Sequence, residues 1–444
     1  TAVRLKRCTE GSNPSPSAIY IMNILYIVHQ TLLRENSGTP VVTDQYANLA
    51  LKKNCKVCVL STDQNVKNNS ETKIINGIYY TSVKPLDNWS IEAFLKKNNL
   101  NIVKIDLPFN PDIIHIVDWV NINPGIIKYL ATFKKPIIRH FCNFEDLCYF
   151  HHPFHNHKDN SLCTDEITPE LCSKCISEKE YKNKKTIKKI KSFLFKEKET
   201  ASKNYYLKLS DRKNIIIDNI NYLYTHLIFP SKSFSNYFFS HFKLKKPFNI
   251  INHGINLDIN DQYKNKNNAD IINFIYTGGT AERKGWKIIE EAFDYLLKKY
   301  PNKIKLRIYG HKKKTSKSSL KKFMNVDFFD SYKYNELNKI LSWADIGILP
   351  SHFETFGLII REYIHNKVIP ISSNSFGADE VIENDKNGII IKKNNSKELV
   401  NIIEKVINNP NKLISFKTEI AKTKIKSIES EFEELFKLFK NYRI

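Results

Sequence analysis

Residues 350–362 read Pro350-Ser-His-Phe-Glu354-Thr-Phe-Gly357-Leu-Ile-Ile-Arg-Glu362 and directly follow the apolar run Ile346-Gly-Ile-Leu349. An apolar run that stops at proline and turns through glycine into helical periodicity predicts a buried strand, a loop and a helix. Glu354 then sits on the loop. Glu362 lies a little over two turns further along the helix direction, on the same face but deeper. Free backbone N–H groups at the helix start, with the positive end of its dipole, favour an anion such as a diphosphate. Carboxylates beside that anion accept hydrogen bonds from sugar hydroxyls. The segment therefore offers Glu354 and Glu362 for two sets of hydroxyls, and Thr355, Phe356, Gly357 and Leu358 around the anion.

The same strand–helix alternation extends in both directions. Asn23–Val28, Lys56–Leu60, Asp112–Val117 and Pro136–Arg139 read as strands of one half; Asn273–Thr277, Lys305–Tyr309, Val326–Phe328, Ile346–Leu349 and Val368–Ile371 read as strands of the other. Apolar strands alternating with helices imply parallel sheets covered on both faces. The expected architecture is α/β, with two doubly wound Rossmann-like domains facing across a cleft. The boundaries are read as 22–228 and 229–424, followed by a final helix in 425–444 with Ile428, Phe432, Leu435, Phe436 and Phe439 at helical spacing. Residues 1–21 lack the apolar core of a secretory signal and are expected to lie outside the fold.

With 444 residues, 41% of them apolar and 26% charged, the composition is ordinary for a globular chain; the formal charge of +23 is not. Such a field attracts anions of every kind. No nucleic-acid motif accompanies it, so nucleic acid is not an expected partner. No run approaches the roughly 18 apolar residues of a membrane span, and the expected location is the cytoplasm; the charge reads either as heavy use of Lys along the whole chain or as peripheral contact with the inner face of the membrane. The Lys-rich segment from Leu171 to Asp211, interrupted by Phe193, Leu194 and Phe195, suits either a solvated helical cover or an anionic lipid surface. Cys148, Cys163, Cys172 and Cys175 offer four thiolates of the kind structural zinc prefers, with His151, His152, His155 and His157 close by in sequence. Free thiols are the alternative, and a reducing compartment disfavours disulfides. Cys8, Cys55, Cys58 and Cys142 are expected to be unpaired.

Three motifs in order carry a resemblance to a known family. The Glu354–Glu362 pair resembles the E-x7-E signature of the family 4 retaining glycosyltransferases, which have the GT-B fold. Phe274-Ile-Tyr-Thr-Gly278-Gly279-Thr-Ala-Glu-Arg283-Lys284-Gly285 is similar to that family's strand and glycine loop, and Ser375-Phe-Gly-Ala-Asp-Glu380 to its Gly-Gly-x-x-Glu turn. The resemblance covers most of the chain from Met22 on. It implies transfer of a sugar from a nucleotide-diphosphate donor to a glycan or lipid-linked acceptor, with retention and with no cofactor required for catalysis. Arg283 and Lys284 would neutralise the leaving diphosphate, Glu354 would hold the donor sugar and Glu362 the ribose. Gly278, Gly279 and Gly38 would let backbone approach the donor, Gly38 being what remains of a glycine pair. His140 matches a histidine beside the donor sugar, although Phe141 stands where the family has Asp. His115 and Asp118, at a strand end, would face the cleft. The Asn252-His-Gly254 turn departs from the family at His253, and the final helix would cross back onto the first domain. Some family members likewise carry four cysteines after the strand-end histidine. A nucleotide-sugar epimerase of the same fold, or a non-catalytic nucleotide- or glycan-binding protein, are the alternative readings.

Overall fold

The computed structural model describes residues 21–31, 38–86, 103–149, 167–183, 195–257, 271–310, 318–392 and 395–443, together with 91, 94, 95, 154–156 and 161–163. Most of the 1–21 segment therefore lies outside the described residues, as do Phe193 and Leu194. Ile21 is described, and its N–H bonds the Asn54 carbonyl at 2.9 Å.

The first sheet contains β1 (Asn23–Ile27), β2 (Lys56–Thr62), β3 (Glu71–Ile75), β4 (Ile78–Val83), β5 (Ile113–Ile116) and β6 (Ile137–His140). After a small hairpin of β7 (Phe154–Asn156) and β8 (Ser161–Leu162), β9 (His226–Phe229) and β10 (Phe248–Ile250) complete it. The order is β10-β9-β6-β5-β1-β2-β4-β3, parallel except for β3, which runs antiparallel to β4. The hairpin between them turns on Asn76 and Gly77, both at positive φ (50° and 82°), as a two-residue Asn-Gly turn requires. One boundary needs correction. Because Phe248–Ile250 pairs with Leu227–Phe229, the first sheet continues past residue 229, where the second domain was expected to begin.

The second sheet holds β11 (Ile272–Tyr276), β12 (Ile304–Tyr309), β13 (Val326–Phe329), β14 (Ile346–Leu349), β15 (Ile369–Ser373) and β16 (Ile389–Ile391), all parallel in the order β13-β12-β11-β14-β15-β16. The order in which strands are added reverses once in each sheet, between β1 and β5 in the first and between β11 and β14 in the second, although these pairs are parallel. Connections leave such neighbours on opposite sides and open a crevice at their carboxyl ends. Both crevices face the cleft between the domains.

Alternation along the strands sends successive residues to opposite faces. Leu25, Ile27, Ile114 and Ile116 pack one face of the first sheet; Ile24, Tyr26, Val57 and Val59 pack the other. That second face receives helix Gly38–Lys52 and also the last helix, Ile428–Tyr442, through Ile428, Phe432, Leu435, Phe436 and Phe439. In the segment 167–218, two helices, Pro169–Asn183 and Phe195–Asp218, meet through Ile176 and Leu209.

The two domains are joined by specific chemistry. Phe353 and Phe376 reach from the second domain to Phe144, Phe234 and Tyr237 of the first. Glu380 accepts from the Lys232 N–H at 2.6 Å, at the start of helix Lys232–His241, and from Asn252 Nδ2 at 2.8 Å. Thr355 Oγ1 donates to the Cys142 carbonyl at 2.9 Å. On the returning helix, the fully buried Glu431 accepts from the Tyr46 hydroxyl, from His253 Nδ1 at 2.8 Å and from the Gly254 N–H at 2.8 Å.

Removing that carboxylate strands three buried donors, each of which then bears its own desolvation cost. Glu431→Ala is expected to lose about 3 kcal/mol or more of unfolding free energy in urea; a loss under about 1 kcal/mol would contradict the role assigned here.

Candidate functional site

A cleft of about 810 Å³ runs between the domains and is lined from both. Its second-domain wall forms where β11 and β14 lie side by side. Beyond β11 the chain passes Gly278 and Gly279 and enters a short turn, Glu282–Lys284. Gly285 closes it at φ 76°, with the Pro350 carbonyl only 2.0 Å from where a Cβ would stand. Only glycine allows this contact, which presses the loop after β11 onto the loop after β14. Tyr276 OH donates to the Lys284 carbonyl at 3.1 Å and the His352 N–H to the Arg283 carbonyl at 2.9 Å. Lys284 Nζ therefore lies 2.5 Å from Glu354 Oε1.

Burial alone would raise Glu354, but the Lys284 ammonium and Arg283 guanidinium beside it prevail and hold the carboxyl below its ordinary range. Gly357, at φ 72°, begins helix Leu358–His365, and no side chain among the described residues caps it. The helix start is thus left facing the cleft with its amides available to an anion. Arg361 braces this loop from behind: its guanidinium lies over the Phe356 ring and donates to the Phe356 and Gly377 carbonyls, each at 2.9 Å. Glu362, 7% exposed, also lines the cleft. Burial pushes its carboxyl up to about 7, against the opposing hydrogen bond from Tyr334.

Gly278, Gly279, Arg283, Lys284, Glu354, Thr355, Phe356, Gly357, Leu358 and Glu362 all line this one space, and Gly38 lines it from the first domain. A Cβ on Gly38 would stand 3.8 Å from Leu358 Cδ1, so the two domains come close there. The hydroxyl of Thr355 is already engaged with Cys142. His140 is different. It is fully buried, stacked at 5.6 Å on His115 and 4.8 Å from the His253 ring, and it does not line the cleft. His115 is buried likewise, so neither ring faces the cleft from its strand end. Burial first, and then neighbouring positive groups, push both histidines below their ordinary range, His115 to about 3.

Sequence reasoning named Asp118 but passed over its partner. His29, just after β1, sets Nδ1 2.7 Å from Asp118 Oδ2, and its N–H donates to Oδ1 at 2.7 Å. The pair occupies the crevice of the first sheet, and His29 lines the cleft. The signal was available: a polar pair in loops after the two strands that flank the reversal. Tyr332 and Tyr334, which line the cleft near Glu362, carried no motif.

Among the four cysteines, Cys148 and Cys175 lie near enough to Cys172 to act on its thiol. Burial and the neighbouring Cys148 and Cys175 thiols push the Cys172 thiol up to about 12. Cys163, Cys148 and Cys172 all act on Tyr237, whose hydroxyl donates to the Cys163 carbonyl at 2.8 Å. Of the neighbouring histidines, His151, His152 and His157 lie outside the described residues, and so does the side chain of His155. Among the described residues no helix is long and apolar enough to cross a membrane.

Residues 259–423 match the sequence profile of the glycosyl transferases group 1 family. No curated protein sequence matches the chain. Among solved structures, sucrose-phosphate synthase of Thermosynechococcus elongatus is similar with a TM-score of 0.65 at 11% identity, over 95% of this chain and 98% of that one. A glycosyltransferase of Rickettsia africae gives 0.60 at 15% identity, over 95% and 98%. Anabaena HepE, solved in complex with UDP-glucose, gives 0.56 at 13% identity, over 95% and 100%. The fold is therefore that of the GT-B glycosyltransferases, two Rossmann-like domains on either side of a cleft.

Glu362 supplies a check on the site's electrostatics. A carboxyl raised on folding favours the protonated folded state, so its contribution is present below the unfolded value of 4.5 and is lost as pH rises through about 7. Glu362→Gln, fixed neutral, is expected to match the parent near pH 4.5 and to surpass it by up to about 3 kcal/mol at pH 8. Thermal midpoints measured across that range should diverge with rising pH; parallel curves would show that Glu362 is not held in a desolvated place.

Proposed function

We propose that this chain is a retaining glycosyltransferase of the family 4 kind, moving a hexose from a nucleotide-diphosphate donor to a glycan or lipid-linked acceptor. One observation carries the reading: Arg283, Lys284, the uncapped helix start at Leu358 and the carboxylates Glu354 and Glu362 all line a single cleft. Cations and amides on one wall suit a pyrophosphate, and acids set to either side suit the hydroxyls of the two sugars it joins.

Bond breaking leaves negative charge on the departing phosphate oxygen. Arg283 and Lys284 stabilise that charge as it grows, without rearranging. Lys284 enters the reaction already oriented by Glu354, and Glu354 stays ionised to accept hydroxyl hydrogen bonds from the donor sugar. Retention follows if the acceptor attacks from the face the phosphate leaves and the phosphate oxygen takes its proton, a route that asks for no divalent metal. His140 has no part in these steps, because it does not reach the cleft.

UDP-linked hexoses head the donors to test, since Anabaena HepE was solved with UDP-glucose. The charge of +23 supports peripheral contact with the anionic cytoplasmic face of a membrane as the approach to a lipid-linked acceptor. Cys148, Cys163, Cys172 and Cys175 would hold a structural zinc that ties helix Pro169–Asn183 to the first domain. On that reading the double variant Cys172→Ser, Cys175→Ser contains one zinc fewer per chain by elemental analysis.

The decisive measurement is thermal unfolding with UDP-glucose, UDP-galactose, GDP-mannose, ADP-glucose and free sugars. At least one nucleotide sugar is expected to raise the midpoint, because it binds the folded state alone. Lys284→Ala should then lower kcat/KM at least about 100-fold while leaving the unliganded midpoint within a few degrees. A panel that shifts nothing and yields no turnover would reject the proposal.

A further inference from the structure

His140, Cys142 and His253 form a second cluster of donors, separate from the four cysteines. His140 ends β6, Cys142 follows two residues on, and His253 comes from the turn after β10. One ligand atom from each lies within 4.8 Å of the others, and Cys142 Sγ is 3.6 Å from His253 Nε2. Both His140 ring nitrogens are fully buried and have no hydrogen-bond partner among the described residues, a costly state for a neutral imidazole.

His253 is oriented as a metal-binding histidine usually is. Its Nδ1 is held by the buried Glu431 carboxylate, which fixes the tautomer and turns Nε2 toward Cys142. The backbone beneath is firm: the Cys142 N–H donates to the His140 carbonyl at 3.1 Å, and the buried Arg139 donates to that same carbonyl at 2.6 Å. Ordinary zinc bond lengths put tetrahedral ligand atoms roughly 3.5 Å apart; Cys142 and His253 have that spacing, and a His140 nitrogen lies no more than 4.8 Å from either of their ligand atoms.

We propose that His140, Cys142 and His253 bind a zinc-class divalent cation in the floor of the cleft, with its fourth position open to the cleft. Two imidazoles and one thiolate select a borderline transition metal over magnesium or calcium. Three protein ligands and one open position form an accessible site, unlike the closed four-thiolate arrangement. Cys142 and His253 line the cleft whereas His140 does not, which sets the open position on the cleft side. Binding displaces the thiol proton of Cys142 to solvent and involves no change of oxidation state. The inference does not depend on the glycosyl-transfer reading.

The test is residue-resolved. The full chain is stripped with EDTA, dialysed, treated with N-ethylmaleimide in the presence or absence of added zinc, and mapped by peptide mass spectrometry. Zinc is expected to slow alkylation of Cys142 at least tenfold, and protection of Cys148, Cys163, Cys172 and Cys175 reports separately on the other cluster. Cys142→Ser is expected to bind one zinc fewer per chain in a chelator competition, with an unfolding midpoint close to the parent's. Equal Cys142 alkylation with and without zinc would overturn the site, as would an unchanged stoichiometry in Cys142→Ser. Should that variant fail to fold, the alkylation result on the parent chain decides alone.

Discussion

The parallel pairing of β11 with β14 is the constraint on which the cleft chemistry depends. Phe274 pairs with Ile346 and Ile275 with Gly347, so the loops that follow the two strands must emerge together. Gly347 permits this, because the Tyr363 ring packs where any side chain at 347 would stand, 2.5 Å from an added Cβ. Tyr363 belongs to the same helix as Glu362. Strand pairing, helix seating and the depth of a site carboxylate are thus set by one contact. From that seam, the approach of Gly285 to Pro350 brings Lys284 to Glu354.

The two carboxylates of the motif have different environments and so different charge states. Glu354 lies beside two cations and stays ionised; Glu362 lies among tyrosines and is held near neutrality of pH. An exposed lysine–glutamate pair contributes little, because solvent screens it and two long side chains must be ordered. Lys284 and Glu354 are 23% and 15% exposed, so much of that ordering has been done by the loop before any ligand arrives. Preorganised charge of this kind is where binding sites obtain most of their electrostatic effect.

Much of this was legible in sequence because buried parallel strands read as apolar runs, and the runs at 23, 56, 112, 136, 273, 305, 326, 346 and 368 correspond to strands in the structure. β10 was missed for a physical reason: Phe248, Asn249 and Ile250 are all exposed on a sheet edge, so no burial pattern is written into them. The β3–β4 hairpin was missed although Asn76-Gly77 signals it, since attention to parallel topology passes over a local antiparallel turn. His140 shows the limit of reading strand ends. Whether a terminal side chain faces the crevice or the packed face is a matter of single-residue parity, and His140 falls with Tyr46 and His115. Glu431 reads as one acid among several on an amphipathic helix, and only the return of that helix beneath His253 makes it a buried acceptor.

That return means the chain passes between the domains twice, and the two passages touch. Ile255 and Ser427 form a parallel bridge, with the Ile255 N–H bonded to the Lys426 carbonyl and the Ile428 N–H to the Ile255 carbonyl, each at 3.0 Å. Both crossings therefore share one line, and a rotation about that line would displace Ile255 and Ser427 least and the rims bearing Gly38 and Leu358 most.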